Sequence, residues 1–90
     1  MTTSAGKILV VDDEPEVRLV LTEFLESRGY EVAVAASGAE ALARVDAAKP
    51  HVVLLDVTMP EMDGMETLKR LAANNPGLPI IMVTANADVD

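Results

Sequence analysis

The sequence predicts an α/β fold, a doubly wound parallel sheet with helices on both of its faces. Two observations predict it. Four short strand-like runs recur along the 90 residues, and three of them are nearly continuous in Val, Ile, Leu and Met, as strands covered on both faces are. The segments between them carry apolar residues at helical spacing, so the order reads β-α-β-α-β-α-β, which calls for right-handed crossovers between parallel strands.

Met1 to Gly6 reads as a short polar tail, and Lys7 to Val11 as the first strand, ending in Asp12, Asp13 and Glu14. Pro15 suits the first turn of a helix, where its missing N–H has no partner to lose, and Asp13 or Glu14 can cap that turn. Val17, Val20, Leu21, Phe24 and Leu25 then recur at i, i+3, i+4, i+7 and i+8, one apolar face, with Arg18, Glu23 and Glu26 off it. Gly29 stands where a helix closes in the left-handed region. Tyr30 to Ala36 is a short strand; Ser37 with Glu40 three residues on is a capping box. Ala41, Leu42, Val45 and Ala48 form the inner face of the next helix, which Pro50 stops.

Val52 to Asp56 is the most apolar strand, and it breaks off at a single carboxylate before Met59-Pro60-Glu61-Met62-Asp63-Gly64, a loop marked by its proline and glycine. Met65, Leu68, Leu71 and Ala72 mark a third helix, closed by Asn74-Asn75-Pro76-Gly77. Leu78 to Thr84 is a fourth strand ending in a hydroxyl. Ile80 to Val83 is apolar on both sides, as a central strand is, yet the sequence given supplies no further neighbour. The expectation is an open apolar edge, with the fourth strand or exposed helix faces pairing with a second chain as a homodimer, by edge pairing or domain swapping.

Composition narrows the function. Ninety residues make one small domain. A net charge of -8 repels nucleic-acid backbones and anionic membranes, so neither is expected as a direct partner. With no cysteine, a thiolate metal site, a disulfide and a cysteine nucleophile are excluded. Without an apolar run of membrane-spanning length or a leader-like start, the chain is expected to be soluble and cytoplasmic. Glycine-rich phosphate loops and dinucleotide fingerprints do not occur. His51, alone before a strand, reads as a solvent-facing structural residue, and the five methionines as loop or core fillers.

In a parallel sheet all carboxyl ends of the strands lie along one edge, which gathers Asp12, Asp13, Asp56 and Thr84. If the first and third strands are neighbours, as in the flavodoxin-like order 2-1-3-4, three carboxylates converge at the switch point. Such a cluster either raises its pKa values or takes up a cation, and an oxygen-only ligand set suits Mg²⁺.

The Asp12-Asp13 pair after the first strand, Asp56 after the third, Met59-Pro60 with Met62-Asp63-Gly64 in the following loop, and Thr84-Ala85 after the fourth together resemble the receiver (CheY-like) domain of two-component response regulators. The resemblance covers essentially the whole chain. It implies a phosphoacceptor signalling domain rather than an enzyme with its own substrate, with self-catalysed phosphorylation and dephosphorylation at most. It implies that Asp56 accepts the phosphoryl group, that Asp12, Asp13 and Asp56 hold Mg²⁺ with the Thr58 backbone carbonyl, and that the Thr84 hydroxyl acts as the switch. The implied donor is a histidine kinase or a histidine phosphotransfer protein. The family pattern continues into a fourth helix, a fifth strand with an active-site lysine and a fifth helix. The sequence stops six residues after Thr84, so residues 1–90 are expected to be a receiver lacking that portion, with metal binding kept and phosphorylation impaired.

Two other function classes compete. One is a phosphorylation-independent association module built on the same fold. The other is a Mg²⁺-dependent phosphohydrolase with an aspartate nucleophile, which ranks last because its acid/base aspartate, two residues after the nucleophile, is replaced here by Thr58.

Overall fold

The computed structural model describes residues 5–56 and 64–83. Seven elements follow the order the periodicity demands: β1 (Lys7–Val11), α1 (Pro15–Ser27), β2 (Glu31–Ala35), α2 (Gly38–Ala48), β3 (Val52–Asp56), α3 (Gly64–Asn74) and β4 (Ile80–Val83). The four strands form one parallel sheet in the order β2-β1-β3-β4, the predicted order. Thr58 and Thr84, and the loop residues Met59, Pro60, Met62 and Asp63, lie outside the described residues.

Strand alternation divides the buried side chains between two faces. Leu9 and Val11 of β1, Ala35 of β2, and Val53 and Leu55 of β3 pack with Ala41 and Val45 of α2 and Leu71 of α3 into one core, and Ala33, Leu42, Leu68, Leu78 and Ile80 close its margin. Leu9, Leu55 and Leu71 are wholly buried, which favours the fold by about 1.5–3 kcal/mol for each side chain. Ile8 and Val10 alternate with that set and are also buried; α1 packs on β1 and β2 and takes no part in the first core.

The helices depart from the expected faces in two places. In α1, Val17, Leu21 and Leu25 are half-buried, but Val20 and Phe24 are 62% and 52% exposed and no residue of the helix is fully buried. Among the described residues α1 makes its main contacts with β1 and β2 and none of comparable extent with another helix, and the Arg28 guanidinium stands 5.0 Å from the Phe24 ring centre. In α3 the inner face is Gly64, Thr67, Leu68 and Leu71; Met65 and Ala72 are exposed. Both sets have helical spacing, and a polar Thr67 hid the correct one.

The turns hold as their residues suggest. Ser37 Oγ accepts the Glu40 N–H at 3.1 Å, while Glu40 Oε1 accepts the Ala36 N–H at 2.6 Å, one residue earlier than the ideal reciprocal bond. Glu14 is the N-cap of α1 but makes no side-chain capping bond. Gly29, at φ 93°, closes α1 in the left-handed region, and Lys49 does the same for α2 at φ 48°. His51 is exposed and structural: its Nδ1 accepts the Lys7 N–H at 2.9 Å while its own N–H donates to the Lys7 carbonyl at 2.8 Å.

Candidate functional site: a carboxylate cluster at the strand ends

The site is a product of strand register. β1 and β3 pair with Val11 opposite Leu55, so the residues that follow, Asp12 just past the end of β1 and Asp56 at the end of β3, stand at the same level on the carboxyl edge. Asp12 is held there by its own N–H, which donates to the Ala35 carbonyl at 3.1 Å and carries the β1–β2 ladder one step further. Both carboxylates are 4% exposed, whereas Asp13 is partly open to solvent. Each of the three contributes a carboxylate oxygen, and these oxygens lie within 4.8 Å of one another.

Two unit charges at that spacing repel by on the order of 3 kcal/mol at the effective dielectric usual near a protein surface. The strain is visible in Asp12, whose carboxyl is pushed above its ordinary value of 3.8, first by burial and then by the charges of Asp56, Asp13 and Glu14. The Glu14 N–H opposes the shift by donating to Asp12 Oδ1 at 2.9 Å.

The donor set fits a hard divalent cation. It is all oxygen, it is small, one of its members reaches solvent, and two of its carboxylates are buried side by side. Among the described residues this is the only group of three or more such side chains close enough to share an ion. A hollow of about 160 Å³ lined by Val45, Asp46, Lys49, Pro50, Asn75 and Leu78 lies at the amino end of β3, away from the carboxylates.

The structure thus brings together Asp12, Asp13 and Asp56 as predicted. Thr58 and Thr84 lie outside the described residues, although Asp56 pairs in register with Val83, the residue before Thr84. One neighbour escaped the sequence reading. Arg18, placed there merely off the apolar face of α1, donates from Nη1 to the Asp12 carbonyl at 2.7 Å. Its position six residues after Asp12, in the first turns of the helix that follows, was the available signal.

The comparisons agree with this geometry. Residues 8–90 match the family model described as the response regulator receiver domain. Among curated proteins, the chain is 39% identical over 83 residues to the probable transcriptional regulatory protein TcrX of Mycobacterium tuberculosis, covering 92% of this chain and 36% of that protein. It is 40% identical over 84 residues to sporulation initiation phosphotransferase F of Bacillus subtilis, covering 93% and 68%. The chain therefore spans little more than a third of the length of TcrX. Among solved structures, chemotaxis protein CheY4 of Vibrio cholerae superposes with a TM-score of 0.86 at 38% identity, covering 92% of this chain and 71% of that one. The response regulator TrrA of Thermotoga maritima, solved with Mg²⁺ and BeF, gives 0.84 at 37% identity, covering 97% and 72%. Among the described residues no helix is long and apolar enough to cross a membrane. With the parallel 2-1-3-4 sheet and the acid cluster at its carboxyl edge, these matches show that the chain belongs to the response regulator receiver domain family of two-component signalling.

Proposed function

We propose that Asp56 is the phosphoryl acceptor and that Asp12 and Asp13, with Asp56 and the Thr58 carbonyl, hold Mg²⁺ beside it. The observation that carries the reading is the convergence of three carboxylate oxygens within 4.8 Å at the end of β3. Receiver domains take part in signalling with histidine kinases or histidine phosphotransfer proteins, so the donor is read as a phosphohistidine. A carboxylate oxygen of Asp56 attacks phosphorus in line as the N–P bond of the donor breaks; the imidazole leaves with the electron pair and takes up a proton, and Asp56 becomes an acyl phosphate. Bound Mg²⁺ supplies positive charge that screens the incoming phosphoryl oxygens.

The chain's own residues do the rest. Burial strips Asp56 of much of its water, and its backbone is set by its register with Val83 of β4 and by Leu55 before it, which pairs with Val11 of β1. Asp13, the accessible member, is the side from which an ion and its waters enter. The Thr84 hydroxyl is read as the group that bonds the new phosphoryl oxygens and so reports the modification.

The test is incubation with acetyl phosphate, with and without Mg²⁺, followed by intact mass measurement. An adduct of one phosphoryl group that requires Mg²⁺ and disappears in Asp56→Asn supports the reading. No adduct under any condition overturns it.

Association is proposed alongside phosphoacceptance and not in its place. In β4, Ile81, Met82 and Val83 are 52%, 51% and 38% exposed, and among the described residues the strand pairs only with β3. The occupant proposed for that edge is a second copy of the chain, which light scattering of the 90-residue protein over a concentration series would detect.

A further inference from the structure

We propose that Arg18 is a positioning residue for the metal site, acting through the backbone of Asp12. This rests on the reading of Asp12, Asp13 and Asp56 as a Mg²⁺ site. The turn that joins β1 to α1 carries two of the three carboxylates within two consecutive residues, and it is fixed from two sides. From one side Asp12 Oδ1 accepts the Glu14 N–H at 2.9 Å. From the other, Arg18 Nη1 reaches back from α1 to the Asp12 carbonyl at 2.7 Å, a short charge-assisted bond. The Asp12 carbonyl belongs to the Asp12–Asp13 peptide plane, so holding it sets the direction in which Asp13 leaves the chain. Asp13 is the most accessible of the three and needs that restraint most, because mutual repulsion drives it outward. Arg18 is only half-buried, and this bond draws its guanidinium back to the carboxyl edge of the sheet.

The positioning role and a bare electrostatic one predict opposite signs. A cation beside a cation site weakens it through repulsion, so if Arg18 acted by charge alone its removal would tighten Mg²⁺ binding. If it acts by holding the Asp12 carbonyl, its removal weakens binding although a repulsive charge has gone. Outer partners of metal ligands typically contribute about 10- to 100-fold in affinity, and a bond to the backbone of a ligand belongs near the lower figure.

The test is a Mg²⁺ titration of the wild-type chain, Arg18→Met and Arg18→Lys, followed through the backbone amide signals of Asp13 and Glu14, with melting curves recorded without metal. Arg18→Met removes both donor and charge; Arg18→Lys keeps the charge and a donor of similar reach. The expected result is about tenfold weaker binding for Arg18→Met and binding within about twofold of wild type for Arg18→Lys. Arg18→Met binding as tightly as wild type, or tighter, overturns the proposal, and so does an equal loss in both variants. Wild-type protein that takes up no Mg²⁺ in the millimolar range would instead overturn the metal site itself, and the positioning role with it. If Arg18→Met melts well below wild type, the Lys variant decides.

Discussion

Val11 and Leu55 are partners in the parallel register of β1 and β3, and each is followed at once by a buried aspartate. The proximity of Asp12 and Asp56 is therefore imposed by the sheet, whose apolar packing outweighs the repulsion between the two groups it delivers. A one-residue slip of β3 would turn Asp56 to the other face and bury its charge among the leucines.

Replacing Asp56 by Asn is expected to abolish labelling by acetyl phosphate altogether, with the circular dichroism of the native fold retained, since the amide is close to isosteric and relieves repulsion within the cluster. Intact mass and far-ultraviolet spectra on the same sample check both halves.

Asp12→Asn is expected to raise stability at neutral pH in the absence of divalent ions. The folded-state pKa of Asp12 is raised, so the folded protein holds this proton more tightly than the unfolded chain does. Ionised Asp12 thus disfavours folding; the penalty is absent below about pH 3.9, grows as pH rises and is complete above the raised value. The variant's gain in melting temperature over wild type should be largest at pH 7 and vanish near pH 4. Its Mg²⁺ affinity should fall by at least about tenfold, measured by calorimetric titration.

Glu40 gives the opposite sign. The Ala36 N–H, and then Arg44, hold its carboxyl below the ordinary range, so its contribution is present above the unfolded value and lost as pH falls through the folded one. Glu40→Gln should lower the melting temperature at pH 7 and match wild type in strong acid. Ser37→Ala, which removes the acceptor for the Glu40 N–H, should cost about 1 kcal/mol at every pH by urea denaturation.

Ile81→Lys is expected to disperse any dimer to monomer in light scattering with little loss of stability, because Ile81 is already 52% exposed. Leu71→Ala should do the reverse: wholly buried beneath the sheet, it is expected to cost about 2–5 kcal/mol in denaturation and leave the oligomeric state unchanged.

The strands, the sheet order and the acid cluster were legible because each rests on a strong local signal. Val52 to Leu55 is too apolar to be anything but interior, and a parallel sheet then gathers Asp12, Asp13 and Asp56 at one edge without further information. What was not legible depends on neighbours distant in sequence. Periodicity shows that Val20 and Phe24 lie on the apolar side of α1, but how much of that side is covered depends on which elements pack against it, here chiefly β1 and β2. Thr67 is wholly buried in α3, and its hydroxyl made the inward face look like an outward one. Arg18 was invisible as a site residue because its partner is a backbone carbonyl, which no residue type advertises.

The clasp between His51 and Lys7 sits at the amino edge of β1 and β3, the end remote from the aspartates. Side chain and backbone of His51 together satisfy both main-chain groups of Lys7, so the two central strands are riveted at their roots. Were Asp56 converted to the proposed acyl phosphate, these two bonds would oppose sliding of one strand along the other. The response is then expected in the outer strand β4, where amide exchange should reveal it while Lys7 stays protected.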